Sequence, residues 1–159
     1  MNDGMRQKVV ELLRCRRVMT LAVAAGRRAW CAPVYYVYEN RALFFFSRTD
    51  SRHITHGLGK TGVAASVHAD SHDWRGIKGV QMEGSIDTAG CSGDALRAFG
   101  LYQARFSALR ELLLQHGPET VDPARVESLL RVRWYQFIPQ TLFFVDNTSG
   151  LGHRQRVVL

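Results

Sequence analysis

Three apolar runs follow one another between Arg17 and Ser47 with almost no chain between them. "RVMTLAVAA" (17–25) stops at Gly26, "AWCAPVYYVYE" (29–39) stops at Asn40, and "RALFFFS" (41–47) starts on the next residue. Each is rich in β-branched or aromatic side chains, which suit a pleated, half-buried backbone. Strands joined this closely pair antiparallel, because a parallel crossover needs a dozen or more residues. The turn at Asn40 predicts a hairpin.

The pattern continues. "TGVAASVHA" (61–69) and "IKGVQMEGSIDT" (77–88) read as strands, the second carrying two glycines that mark a bulge or a close approach of other atoms. "VRWYQFI" (132–138) and "TLFFVD" (141–146) read as two more, joined at Pro139. Helices lie at the edges of this series. Residues 5–14 place Val9, Val10, Leu12 and Leu13 on one face. Residues 51–58 form a short helix that Ser51 can cap and Gly57 and Gly59 can end. Residues 94–116 have helical periodicity, with Leu96, Phe99, Phe106, Leu109, Leu112 and Leu113 as the buried stripe. Gly100 and "RFS" (105–107) are the candidate breaks in that helix and Gly117–Pro118 ends it; Pro123 opens another, "PARVESLLR". The tail "NTSGLGHRQRVVL" starts as a turn and ends as a strand. The expectation is a mainly β fold with peripheral helices: one barrel of six or more antiparallel strands, with a helical insert near 94–131.

A chain of 159 residues suits one domain spanning 1–159. Its hydrophobic share of 46% and charged share of 22% are those of a globule. No apolar run reaches the ~18 residues of a membrane span, and the first residues lack a signal-peptide core. Three widely spaced cysteines, Cys15, Cys31 and Cys91, with no CxxC pair, fit reduced thiols. Together these predict a cytoplasmic protein with no membrane partner. The net charge of +7 is uneven: residues 1–56 carry ten Lys/Arg against four Asp/Glu. Arginine outnumbers lysine 18 to 3. Arginine suits phosphate recognition, but coding bias explains the excess as well. The cations form no long stripe, so nucleic acid is not an expected partner.

The basic excess surrounds "LFFFSRTDSRHITHGL" (43–58), where a strand ends abruptly in hydroxyls and cations. Two readings compete. It is either a strand, turn and capped helix, or an anion cradle at the mouth of a sheet, with Ser47, Ser51, Arg52 and His53 facing a phosphate. "HADSHD" (68–73) has metal-ligand composition, but His68 and His72 are four apart outside a helix, so a solvated loop is expected and no metal. "GLG" (150–152) lacks the context of a dinucleotide fingerprint. Trp30, Trp74 and Trp134 could be stacking platforms, core or interface residues. The scattered carboxylates give no acid–base pair, so no catalytic residue is assigned.

The order of these motifs resembles the pyridoxamine-phosphate-oxidase-like FMN-binding split barrels. In that superfamily an apolar strand ends in Tyr/Phe–Ser/Thr, a Ser–Arg–Lys follows four residues on, and a Trp and a Val-x-x-x-Gly strand come later. Here these are Phe46–Ser47, Ser51–Arg52–His53, Trp74, and Val80 to Gly84. "RGIKGVQMEGSI" (75–86), "RFS" (105–107) and "DNTSGLGHR" (146–154) look like its YhbP-like subfamily. The resemblance implies that Ser47, Ser51 and Arg52 hold the FMN phosphate, and that Ala32, Pro33 and Val34 face the isoalloxazine ring. It also implies a homodimer with flavin at the interface, to which Trp74, Gln81 and Trp134 come from the second subunit. The implied function is a flavoprotein oxidoreductase acting on a small molecule. The family's lysine is His53 here, its ring-side basic residue falls on Cys31, and the Arg–Leu-x-Pro tail of the true oxidases is absent. Pyridoxamine phosphate is therefore not the implied substrate. The alternative is a non-catalytic barrel holding haem or another flat ligand, for which His53, His56, His68 and His72 are available.

Overall fold

Residues 3–115 and 122–159 are described by a computed structural model of the chain. Helix α1 (Asp3–Cys15) buries Val9, Leu12 and Leu13. Strands β1 (Val18–Ala25), β2 (Arg28–Tyr35), β3 (Val37–Glu39) and β4 (Ala42–Ser47) follow. Then come α2 (Arg52–Gly57), β5 (Thr61–His68) and β6 (Lys78–Thr88). The insert is α3 (Gly93–Arg105), α4 (Ser107–Gln115) and α5 (Pro123–Leu130), before β7 (Arg133–Asp146) and β8 (Arg154–Arg156). The Gly117–Pro118 stop falls outside the described residues. No described helix is long and apolar enough to cross a membrane.

The strands form one antiparallel sheet in the order β2-β1-β5-β6-β7-β4-β3, with β8 beside β7. The run expected as one strand over 29–39 is two. Its first half pairs with β1 and its second with β4, so the chain itself closes the half-barrel at Tyr36. Tyr36 is fully buried; its N–H donates to the Arg17 carbonyl at 3.0 Å and its hydroxyl to the Leu13 carbonyl at 2.8 Å. That one residue ties the closure to the end of α1. The β3–β4 hairpin turns at Asn40 and Arg41, with φ of 41° and 69°. Positive φ at both central residues is the two-residue turn that matches strand twist.

Alternation along β4 divides the interior. Leu43 and Phe45 enter the barrel core with Leu21, Val67 and Phe137, while Phe44 and Phe46 face the insert. Helix α3 meets that second cluster through Ala95, Ala98, Phe99 and Tyr102. Leu96, expected in the stripe, is 49% exposed. Small alanines let the helix lie close to the sheet, which rotates the buried face off the leucine. The break at "RFS" is present, at Phe106 between α3 and α4, whereas α3 runs unbroken through Gly100.

One expectation is corrected. Residues 132–146 are not two strands joined at Pro139 but the single strand β7. A register shift between Glu83 and Gly84 sets Pro139 opposite Gly84. Proline cannot donate to a ladder and is tolerated at such an irregularity. A Cβ on Gly84 would collide with the Ile138 carbonyl oxygen, so this position requires glycine. Gly57 ends α2 as expected, and it is also buried: its missing side chain lets α2 approach Val23, Ile86 and Val63. Gly59, with φ of +66°, follows the turn.

Candidate functional site

Ser47 is the last residue of β4. By alternation it shares the barrel side with Leu43 and Phe45, and it is 8% exposed. The chain then turns at Arg48–Asp50, held by an exposed ion pair at 2.7 Å. Such a pair contributes little to stability. The turn brings Ser51 back, so that its Oγ lies 2.9 Å from the Ser47 Oγ. Ser51 occupies the position before α2, but its hydroxyl does not cap the helix. It donates instead to the Arg48 carbonyl at 2.8 Å. The expected cap is thus absent, and the hydroxyl belongs to a different cluster.

His53 completes that cluster. Its Nε2 is 2.8 Å from the Ser47 Oγ and 3.3 Å from the Ser51 Oγ. The ring lies against Phe45, centroids 6.5 Å apart. It is 8% exposed, and burial pushes its imidazole below the ordinary value. The ring is therefore neutral near pH 7, and the cluster is two hydroxyls and a neutral imidazole satisfying one another. In the unfolded chain the same ring titrates near pH ~6.5. Because the folded value is lower, stability contributed by His53 is full above the unfolded value and is lost as pH falls toward the folded one. Denaturant midpoints from pH 8 to pH 5 should fall more steeply for the wild type than for His53→Gln, which cannot titrate. Parallel curves would show that His53 does not carry this dependence.

Arg52 makes no hydrogen bond within the cluster. Its guanidinium lies 4.6 Å from the centre of the Trp30 ring on β2. No carboxylate among the described residues pairs with it, whereas Arg48 is neutralised by Asp50. Nothing in the sequence spacing of Trp30 and Arg52 marks them as partners; only the approach of α2 to β2 brings them together.

On β2, Ala32 and Val34 are half-buried and Pro33 is exposed, as alternation requires. Two of the three share a face and the third does not. Gln81 projects from β6 over a shallow depression of roughly 310 Å³ that Thr20, Ala22, Ser66 and Phe143 also line. Trp74 is 52% exposed on a 3-10 turn, Trp74–Gly76. The Asn147 side chain holds that turn, donating to the Trp74 carbonyl at 2.7 Å and accepting from the Gly152 N–H at 3.1 Å. The closing "DNTSGLG" is therefore a clamp on the Trp74 loop. Among the described residues, neither Gln81 nor Trp74 hydrogen-bonds to Ser47, Ser51 or His53. Trp134 is enclosed, 2% exposed, against Phe44, Phe46, Phe99 and Tyr102. It offers no ring face to a second subunit and serves as core. His68 and His72 are exposed, and no group of three His, Cys, Asp or Glu gathers among the described residues.

The fold is shared with solved FAD-binding and pyridoxamine 5'-phosphate oxidase-like proteins. A FAD-binding protein of Mycobacterium smegmatis superposes with a TM-score of 0.59 at 15% identity, covering 96% of each chain. A FAD-binding protein of Mesorhizobium loti gives 0.55 at 19% identity, over 86% of this chain and 90% of that one. A heme binding protein of Mycobacterium smegmatis gives 0.63 at 14% identity, over 95% of this chain and 55% of that one. In sequence, a UPF0306 protein of Yersinia pseudotuberculosis is 36% identical over 88 residues, 54% of this chain. The match spans only 58% of that relative's length. No family model matches the chain.

Proposed function

We propose that this chain binds FMN through its phosphate and works as a homodimeric flavoprotein oxidoreductase on a small molecule. The observation that carries the reading is the pair of hydroxyls, Ser47 and Ser51, 2.9 Å apart where β4 ends, followed in the chain by Arg52, which no carboxylate pairs among the described residues. Hydroxyls that bond one another can rotate their protons onto a phosphate oxygen, and a guanidinium adds charge-assisted bonds. The donor set fits a phosphate ester. With Cys31 and neutral His53 where relatives carry cations, Arg52 supplies the side-chain charge. Bound FMN would supply the redox chemistry; Ser47, Ser51 and Arg52 would anchor it, and Ala32 and Val34 would set the ring's position.

The dimer is supported by β2. It lies at the end of the sheet order, pairs only with β1, and exposes Trp30 at 44% and Tyr35 at 58%. An apolar edge of this kind fits a second copy, which would also bring Trp74 and Gln81 toward the cradle. A haem-binding neighbour supports haem as the second reading. Against it, the His53 Nε2 is already engaged by Ser47.

Titrating FMN and riboflavin into flavin-free protein tests the proposal. FMN should bind far more tightly than riboflavin, with flavin absorbance in the recovered complex. Equal affinities would remove the phosphate cradle, and a Soret band in freshly purified protein would replace flavin by haem.

A further inference from the structure

A second concavity lies behind the cradle, on the face of β4 opposite Ser47. It encloses roughly 510 Å³ between the end of β2, β4 and helices α3 to α5. Volumes of about 300–1,000 Å³ with apolar walls and few polar groups are typical of small-molecule sites. The walls are aromatic where they meet the sheet. Tyr102 and Phe106 have ring centroids 4.4 Å apart, Phe46 and Tyr102 5.4 Å, and Tyr35 and Phe106 5.0 Å. Leu109 and Val132 supply aliphatic surface.

Polar groups are few, and their state is informative. Tyr102 is 8% exposed, yet its hydroxyl makes no hydrogen bond among the described residues. Its ring lines the cavity. Burial and the neighbouring Tyr35 phenol both push its ionisation up, so it remains a protonated donor. The hydroxyl oxygen is not sealed off, so water meets it in the free protein, and an acceptor carried by a ligand can take that water's place. Arg105 is the charged residue of the lining, and it donates to the Arg14 and Arg16 carbonyls. No carboxylate lines the cavity among the described residues. The site therefore offers a hydrogen-bond donor and apolar walls, and it penalises a charged occupant.

We propose that this cavity binds a flat, uncharged aromatic molecule of about naphthalene size that carries a hydrogen-bond acceptor. Stacking surfaces are provided by Phe46 and Phe106, and the acceptor is met by the Tyr102 hydroxyl. The site goes beyond the flavin reading and stands without it, because none of its lining residues belongs to the Ser47–Ser51–His53 cluster.

The test uses flavin-free full-length protein and the neutral naphthalene ketone prodan, whose emission reports polarity and hydrogen bonding. Wild type should bind it at micromolar concentration with blue-shifted emission. Ala108→Trp fills the cavity from an exposed position and should abolish binding. Tyr102→Phe removes only the hydroxyl and should weaken prodan about fivefold, the worth of one neutral hydrogen bond. It should leave unsubstituted naphthalene unaffected. Absence of prodan binding to wild type overturns the proposal, as does unchanged binding in either variant. If wild type fails to bind while Ala108→Trp lowers the mass by light scattering, a second copy occupies the cavity, which also overturns it. FMN titration of the same samples reports separately on the cradle.

Discussion

Replacing Arg52 by alanine should weaken FMN binding by about 10- to 150-fold and leave riboflavin binding nearly unchanged. The figure follows from losing a charge-assisted partner, worth about 1.5–3 kcal/mol. Arg52 follows Ser51 in the chain and is paired with no carboxylate among the described residues, so its charge is open to a phosphate. The guanidinium is held by stacking on Trp30 and lies at an exposed position. The loss should therefore shrink at high salt. Stability should barely move, since an exposed cation–π contact is worth only about 0.5–1 kcal/mol. Four titrations, two ligands against two proteins, decide the matter. An equal loss with both ligands, or none with FMN, means that Arg52 does not hold a phosphate.

The second large effect is on folding. Gly84→Ala should destabilise the protein by about 3 kcal/mol, lowering the melting temperature by roughly 10 °C. The added carbon meets the Ile138 carbonyl, which is backbone inside the β6–β7 ladder and has no rotamer to escape into. Gly100→Ala is the matching control. Gly100 is exposed in α3 with open space around it, so alanine there should stabilise by about 0.5–1 kcal/mol. Melts that shift in the same direction for both variants would contradict the bulge account.

The strands were legible because their signal is local: apolar runs, Gly26, and the Asn40 turn. Ser47, Ser51 and His53 were legible as a group because a strand end and the next helix start lie close in sequence. What Ser51 does there was not. Its side chain had a cap position available, but the turn brought it nearer to Ser47 and the Arg48 carbonyl. The continuity of β7 through Pro139 was hidden because it depends on Gly84, far away along the chain, supplying the missing space. Leu96 was misplaced because hydrophobicity favours leucine, whereas close packing on the sheet favoured Ala95 and Ala98. The contact of Arg52 with Trp30, and that of Tyr35 with Phe106, arise from elements remote in sequence. No spacing rule could have announced them.

The position of β2 also bears on how the chain behaves when it is crowded or partly unfolded. A terminal strand with one ladder leaves backbone donors and acceptors on its open side, which can template further strands and seed fibrils. Most of β2 is uncharged, with Arg28 at its start. Pro33 lies in its second half, paired across to Thr20. Lacking an N–H, it interrupts the row of donors that an incoming strand would need. A residue expected to face a cofactor ring therefore has a second role as a gatekeeper against self-templated growth.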